Sequence, residues 1–264
     1  MLNKIRDMFA PSRAAMKPVL PSGERVYAVG DIHGRADLFD QLIRLIQEDD
    51  GARRSAHTTI ILLGDLVDRG PDSAGVIRRA RALAQRRDVE ILMGNHEEMF
   101  LDARTNTDVL RGFLKFGGLE TILSYGVPAE AAHGADLQGL QALMNAAVPE
   151  DDFEFLESFK KLVRKGDYIF VHAGVRPGTP LEMQISKDCR WIREPFLSHK
   201  GDYGGFVIHG HTITEEPEIR ANRIGIDTGA FVHGTLTAIG LEGSEQWFLH
   251  ARDHEAATEA SVAA

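Results

Sequence analysis

The stretch VYAVGDIHG, residues 26–34, ends a short apolar run with a glycine, an aspartate and a histidine. Two further motifs follow short apolar runs in the same way: GDLVDRG at 64–70 and GNHE at 94–97. Segments with apolar residues at helical spacing separate these runs, at 38–46 and 76–83. Because strands that alternate with helices form βαβ units, the first half of the chain predicts a largely parallel sheet.

The second half of the chain contains five more short apolar runs, at residues 168–171, 205–208, 223–226, 235–241 and 246–249. These runs leave little room for helices between them, so they predict a second, more antiparallel sheet. Residues 98–165 are mostly helical in pattern and polar, and they predict an insertion that borders the active-site cleft. The predicted fold class is α/β (α+β), with two facing mixed β-sheets flanked by helices.

Five motifs place polar residues directly behind predicted strands: Gly30-Asp31-Ile32-His33-Gly34, Gly64-Asp65-Leu66-Val67-Asp68-Arg69-Gly70, Gly94-Asn95-His96-Glu97, Val171-His172-Ala173-Gly174 and His209-Gly210-His211-Thr212. Strand ends are where α/β folds bind ligands, and the glycines allow tight turns and close backbone approach. One such motif alone is weak evidence. Five in order indicate a metal site rather than a series of solvated turns.

The spacing of these residues suggests how they divide between two cations. Asp31 and His33 are two residues apart on an extended segment, so both side chains point the same way and can bind one cation. Asp65 can bridge two cations, whose charges repel strongly at ~3.5–4 Å unless anionic oxygen lies between them. Asn95, His172 and His211 would then complete the second site.

The proposed ligands offer oxygen and imidazole nitrogen but no sulfur. This set fits two divalent metal ions, with Mn²⁺ as the first choice and Fe or Zn²⁺ as alternatives, while the imidazoles disfavour calcium.

Composition narrows the classes of partner. The 264 residues carry a formal charge of −9, which works against non-specific binding of nucleic acid. The single cysteine, Cys189, excludes an internal disulfide and a thiolate zinc cluster, and we expect it to be a buried small residue. We found neither a signal peptide nor a membrane-spanning run in the sequence, so we expect a cytoplasmic protein with no membrane partner.

Three segments are predicted along the chain. An N-terminal extension covers residues 1–22, the catalytic domain covers 23–252, and a tail rich in Ala and Glu, predicted to be disordered, covers 253–264. The oligomeric state is not predicted.

The five motifs resemble those of the calcineurin-like metallophosphoesterase superfamily, and within it the phosphoprotein phosphatase branch of serine/threonine phosphatases and their bacterial and phage relatives. The resemblance spans roughly residues 26–241. It implies two facing sheets with a dimetal site at the sheet edges, and a hydroxide generated at the metals that attacks phosphorus in line.

Carried over residue by residue, the resemblance implies the following roles. Asp31, His33 and Asp65 bind the first metal, and Asp65, Asn95, His172 and His211 bind the second. Arg69, Arg193 and Asn95 bind the substrate phosphate, and His96 is a general acid supported by Asp68. The implied substrate is a phosphoprotein or a small phosphoester.

Two other functions are alternatives to a protein phosphatase. Symmetrical dinucleoside-tetraphosphate hydrolases share the Trp191-Ile192-Arg193 segment, but they typically have Ala and Asp where this chain has Asp68 and Glu97. Those two residues favour the protein-phosphatase branch, although His172 is followed by Ala173 where the branch has glycine. A non-catalytic metal-binding scaffold is the third possibility, and it is disfavoured because all the ligands are present.

Overall fold

The computed structural model describes residues 17–253, and this part of the chain contains ten β-strands. In chain order they are β1 (Glu24–Val29), β2 (His57–Leu62), β3 (Asp88–Ile91), β4 (Leu162–Lys165), β5 (Tyr168–Val171), β6 (Phe206–His209), β7 (Glu218–Ile219), β8 (Arg223–Gly225), β9 (Thr235–Glu242) and β10 (Glu245–Arg252).

The same residues contain nine α-helices. They are α1 (Ala36–Ala52), α2 (Ser73–Ala84), α3 (Asn95–Ala103), α4 (Thr107–Lys115), α5 (Gly118–Ser124), α6 (Ala129–Gly134), α7 (Leu137–Ala147), α8 (Glu150–Glu157) and α9 (Ser186–Trp191). None of the helices in this part of the chain is long and apolar enough to cross a membrane.

The first sheet has the strand order β10-β9-β1-β2-β3. Strands β1, β2 and β3 are parallel, and helices α1 and α2 connect them, as the alternating pattern predicted. Strand β9 runs antiparallel to β1, pairing Val26 with Leu241, and β10 pairs with β9 as a hairpin. The carboxyl ends of β1, β2 and β3 therefore lie at one edge of this sheet.

The assignment of the last two apolar runs to the second sheet was wrong, because β9 and β10 belong to the first. The chain crosses between the sheets after β8, and Ile239 and Leu241 of β9 are buried in the layer shared by both sheets. A short connection can join strands of two facing sheets as well as neighbours in one sheet. The absence of a helix between the runs was therefore poor evidence for a common sheet.

The second sheet has the order β4-β5-β6-β8-β7 and is less antiparallel than predicted. Its three central strands, β5, β6 and β8, are parallel, and only the edge strands β4 and β7 run antiparallel to their neighbours. The connection from β5 to β6 contains α9, so it is long enough to return the chain for a parallel strand.

The two sheets face each other across a buried apolar layer. Val26, Ile61 and Leu241 from the first sheet pack with Phe170 and Ile208 from the second. A larger apolar cluster on the other side of the first sheet contains α1 and α2 residues and much of the helical region that follows. Helices thus cover the outer face of the first sheet.

Residues 98–165 are helical from α3 to α8, as predicted, except that they end in strand β4 at Leu162–Lys165. At the N-terminal end, Leu20 is buried and its N–H donates a hydrogen bond of 2.9 Å to Gly243 O. Residues 18–20 therefore pack on the domain. The domain boundaries stay predictions, and the predictions for residues 1–16 and 254–264 concern residues outside the described part of the chain.

Candidate metal centre

The predicted ligands meet at the edge where β1, β2, β5 and β6 end. Asp31, His33 and Asp65 follow β1 and β2, while Asn95 begins α3 directly after β3. His172 and His211 follow β5 and β6 of the second sheet. The two facing sheets therefore each contribute side chains to one cluster, most of whose members are buried.

The carboxylate of Asp65 lies at the centre of the cluster. Its Oδ2 is 3.7 Å from Nε2 of His33 and 3.4 Å from Nε2 of His172. Two sets of possible ligand atoms, each lying within 4.8 Å of one another, share this residue: Asp65 with His33 and His96, and Asp65 with His172 and His211. Asp65 thus occupies the position between two adjacent sites that a bridging ligand would need.

Asp31 and Asn95 each contact a histidine of the second set. Both carboxylate oxygens of Asp31 accept hydrogen bonds from the N–H of His211, at 3.2 and 3.0 Å. Oδ1 of Asn95 lies 3.0 Å from Nε2 of His172. The structure therefore brings all six predicted metal ligands into contact with at least one other member of the set.

The tautomers of two histidines suit metal binding. Nδ1 of His33 lies 2.8 Å from Val67 O, and Nδ1 of His172 lies 2.9 Å from Leu63 O. A backbone carbonyl accepts a hydrogen bond, so Nδ1 carries a proton in both rings, and Nε2, which faces Asp65, is the nitrogen that would bind a cation. The donor set fits divalent cations for this reason as well as for its residue types.

The charges of the cluster point to the same conclusion. Burial raises the pKa of Asp31 well above its usual range, and the neighbouring carboxylates of Asp227 and Asp65 raise it further. Burial lowers the pKa of His33 well below its usual range and that of His211 to about 3, so both are neutral and able to ligate. Crowded carboxylates beside neutral imidazoles are stabilised by a bound cation.

The backbone at the cluster is unusual. Five residues other than glycine have positive φ in the described chain: His33 (46°), Asp65 (51°), Asp68 (73°), Arg69 (69°) and His211 (63°). All five belong to the predicted site residues. Such conformations cost roughly 1–3 kcal/mol each and are found where function requires a particular side-chain direction.

Two motif glycines are needed for close approach. A Cβ at Gly94 would collide with Oδ1 of Asp65, and a Cβ at Gly210 would collide with Oδ1 of Asp31. The glycines beside the polar residues therefore let the backbone pass directly against the central carboxylates.

The loop that carries Asp65 is held by Glu97. Its buried carboxylate accepts hydrogen bonds from the N–H groups of Asp65 (2.9 Å), Leu66 (2.7 Å) and Gly94 (3.0 Å). The pKa of Glu97 is raised to about 7, first by burial and then by the charge of Asp65, while His172 and the backbone N–H groups oppose the rise. The sequence marked Glu97 only as a branch difference and did not predict this contact.

A buried pair adjoins the cluster. Nδ1 of His96 lies 2.6 Å from Oδ2 of Asp68, and the hydroxyl of Thr121 donates a 2.6 Å hydrogen bond to the other oxygen, Oδ1. Burial works to lower the pKa of His96, but the carboxylates of Asp65 and Asp68 raise it above its usual value. Thr121 lies in α5, and nothing in the sequence marked it.

Two arginines reach the same region. Nη1 of Arg69 donates to Nε2 of His33 (3.1 Å), and its Nη2 lies 3.0 Å from Nε2 of His96. Arg193 is exposed and donates to Thr212 Oγ1 at 3.2 Å. Both line a cleft of 220 Å³ over the cluster. The other residues that line it are Asp31, Asp65, Asn95, His96, Phe116, Trp191 and His211.

Two more polar residues, Asp227 and His209, are buried near the cluster. Asp227 is buried beside Asp31, and burial raises its pKa to about 6. It follows β8, so the strand-end rule that identified the other residues applies to it too. His209 lies two residues before His211, and its ring nitrogens contact Gly210 O (3.0 Å) and the guanidinium of Arg223 (3.0 Å).

The sequence profile described as "Calcineurin-like phosphoesterase" matches residues 24–218. The chain is 27% identical over 240 residues to a protein of Salmonella typhimurium named "Serine/threonine-protein phosphatase 1", covering 89% of this chain and 100% of that protein.

Other similar proteins are named as nucleotide hydrolases. A protein of Bacillus velezensis named as an asymmetrical bis(5'-nucleosyl)-tetraphosphatase is 26% identical over 245 residues, covering 79% of this chain and 86% of the relative. A symmetrical bis(5'-nucleosyl)-tetraphosphatase of Chromobacterium violaceum is 32% identical over 170 residues, covering 64% of this chain and 48% of the relative.

Solved structures share the fold. The cold-active protein-tyrosine phosphatase of a psychrophilic Shewanella species aligns with a TM-score of 0.55 at 16% identity, covering 89% of this chain and 84% of that chain.

Proposed function

The chain belongs to the calcineurin-like phosphoesterase family, and we propose that it is a metal-dependent protein phosphatase that hydrolyses phosphoserine and phosphothreonine. The observation that carries this proposal is the 2.6 Å contact between His96 and Asp68 at the wall of the cleft. An alkoxide leaving group is strongly basic and needs a proton as the bond to phosphorus breaks. A histidine whose pKa is raised by carboxylates can hold that proton at neutral pH.

We assign the two metal sites to the residues that meet around Asp65. Asp31, His33 and Asp65 would hold the first cation, and Asp65, Asn95, His172 and His211 would hold the second. Two bound divalent cations, with Mn²⁺ as the first choice and Fe or Zn²⁺ as alternatives, would supply Lewis-acid charge and lower the pKa of water.

The protein's own residues position the substrate. Arg69 and Arg193 line the cleft from two sides, and each guanidinium can make two parallel hydrogen bonds to a phosphate group. We assign Asn95 a second contact with the phosphate, because its side chain also lines the cleft. Asp68 and Thr121 fix the ring of His96 so that Nε2 faces the cleft. Nε2 would deliver a proton to the leaving oxygen when the guanidinium of Arg69, now 3.0 Å from it, binds the phosphate instead.

The relatives support two specificities. The Salmonella typhimurium relative, of which this chain covers the whole length, is named as a serine/threonine phosphatase. Two relatives are named as tetraphosphatases, so cleavage of dinucleoside polyphosphates is the second candidate, and Trp191 and Arg193 in the cleft favour it. Asp68 and Glu97 decide our choice, because each makes buried contacts that hold the site together.

The test is a ratio of two rates on one preparation. The enzyme loaded with Mn²⁺ is assayed for kcat/KM on a phosphothreonine peptide and on diadenosine tetraphosphate, since this ratio reports which transition state the cleft prefers. We expect the peptide to be preferred. A preference for the dinucleotide would replace the proposal with the second candidate, and no hydrolysis of either substrate with metals bound would indicate a binding scaffold.

A further inference from the structure

A second pocket lies between the connection from β7 to β8 and the loop before β6. It has a volume of 470 Å³, and its walls are residues 197–200 and 220–223. Nδ2 of Asn222 donates hydrogen bonds to the carbonyl oxygens of His199 (3.0 Å) and Gly201 (2.8 Å), so the two walls are tied together. The pocket is therefore held in shape by the protein itself.

The lining of this pocket is basic in a chain whose formal charge is −9. Lys200, Arg220 and Arg223 contribute three cations, and His199 adds an imidazole. Of the described residues that line it, none is Asp or Glu. The pocket thus offers hydrogen-bond donors and positive charge, and Glu218, which accepts hydrogen bonds from Arg220 and Arg223, lies outside its lining.

The buried Arg223 is only partly neutralised. Its guanidinium donates to Glu218 (2.5 Å) and to Leu197 O (3.1 Å), and Nε has no hydrogen-bond partner among the described residues. Glu218 also accepts two hydrogen bonds from Arg220, so two guanidiniums share one carboxylate. A buried guanidinium without a full counter-charge is unfavourable, and an added anion would relieve this deficit.

We propose that this pocket binds the phosphate oxyanion of a small ligand, with Lys200, Arg220 and Arg223 as the residues that recognise it. Guanidinium and ammonium groups are the usual partners of phosphate in proteins. The volume lies within the range of pockets for small molecules, so the site can take either free phosphate or phosphate carried on a small organic molecule. The inference does not depend on which phosphoester the cleft hydrolyses.

The site is separate from the catalytic cleft but is connected to it. Arg223 lies 3.0 Å from Nε2 of His209, whose Nδ1 donates to Gly210 O, next to His211. None of the residues that line the pocket lines the cleft. Anions in the two places can therefore be distinguished by substitutions confined to one or the other.

The test counts sulfate sites on the full-length enzyme loaded with Mn²⁺, using equilibrium dialysis with labelled sulfate. We expect two classes of site in the unmodified protein. The double substitution Lys200→Gln with Arg220→Gln should weaken one class at least tenfold and leave kcat/KM for p-nitrophenyl phosphate within twofold. Arg69→Gln should weaken the other class and leave the pocket class unchanged.

Controls keep the result specific. Arg44→Gln with Arg86→Gln makes the same change in net charge at exposed positions, and it should leave both classes intact. Should the first double variant fail to fold, Lys200→Gln alone should still weaken the pocket class. Equal binding by the unmodified enzyme and the pocket variants would overturn the proposal.

The source of the phosphate is read from competition with propylphosphonate, which phosphatases do not hydrolyse. Displacement of sulfate from the pocket class by propylphosphonate at much lower concentration than by inorganic phosphate would identify an organic phosphate as the ligand. The reverse order would identify free phosphate. Both results support the site.

Discussion

The carboxylate of Glu97 accepts a 2.9 Å hydrogen bond from the backbone N–H of Asp65, 32 residues earlier in the chain. The same carboxylate also binds the N–H groups of Leu66 and Gly94, so one side chain satisfies several donors of a loop with strained φ. Glu97 therefore holds Asp65 in place at the centre of the site.

Shortening this side chain by one methylene should loosen the loop. We expect Glu97→Asp to lower the free energy of unfolding by about 2–4 kcal/mol, because buried N–H groups lose their acceptor at about 1–3 kcal/mol each. Urea denaturation measures the change. Glu157→Asp, at a side chain that is 60% exposed, should change stability by less than about 0.5 kcal/mol. Equal effects of the two substitutions would contradict the role of Glu97.

The need for His96 should depend on the leaving group. We expect His96→Asn to lower kcat for a phosphothreonine peptide by about 10²–10⁴-fold, the usual contribution of a general acid. For p-nitrophenyl phosphate, whose leaving phenolate is stable without a proton, the loss should be much smaller. Steady-state assays on both substrates test this, and equal losses would remove His96 from the role of acid.

Replacing Asp68 should move a pH limb in a defined direction. The carboxylate of Asp68 helps to raise the pKa of His96, so Asp68→Asn lowers that pKa. A general acid is inactive above its pKa, and the alkaline limb of the kcat profile should therefore shift to lower pH. A profile of kcat for the peptide from pH 5 to 9 measures the shift. An unchanged limb, or a shift to higher pH, would refute the pairing.

Metal removal should affect both activity and stability. Chelation should abolish hydrolysis, and returning Mn²⁺ at about 100 times its dissociation constant should add about 2.7 kcal/mol to the free energy of unfolding. Asp65→Asn should prevent both effects, since this carboxylate contacts histidines of both sites. Asp108→Asn, at an 84% exposed side chain, is the matched control. Unchanged metal content together with unchanged turnover in Asp65→Asn would refute the dimetal mechanism.

Cys189 should be chemically inert in the folded protein. Burial raises the pKa of its thiol to about 11, so little thiolate is present below pH 9. We expect slow reaction with a disulfide reagent at pH 8, a rate that rises with pH, and fast reaction in urea. Rapid labelling of the native chain at pH 8 would show that the thiol is accessible and ionised.

The sequence predicted those parts of the molecule in which a local pattern determines the outcome. The βαβ units, the two facing sheets and the family follow from apolar runs that end in Gly-Asp or Gly-Asn. The assignment of β9 and β10 failed because strand partners are chosen by packing across the layer around Ile239 and Leu241, which no local pattern encodes.

The contacts that hold the site residues in place could not be predicted from the sequence either. Thr121 reaches Asp68 from a helix 53 residues later, and a threonine in a helix carries no signal for such a contact. Glu97 stood inside a recognised motif, yet its backbone partners became visible only when the loop after β2 was folded around it. The roles of the ligands and of the two arginines stay predictions until the variants are measured.

The position of β9 in the sheet also affects when the domain can fold during translation. β1 lies between β2 and β9, and β9 is made of residues 235–242, about two hundred residues later than β1. While those residues are still within the ribosome, β1 has an open edge and the strand that carries Asp31 and His33 lacks one neighbour. Because domains fold as units, we expect the centre to become competent only after residues 235–242 have been translated. Truncation just before β9 should therefore produce a chain that has every predicted metal ligand and still cannot assemble the site.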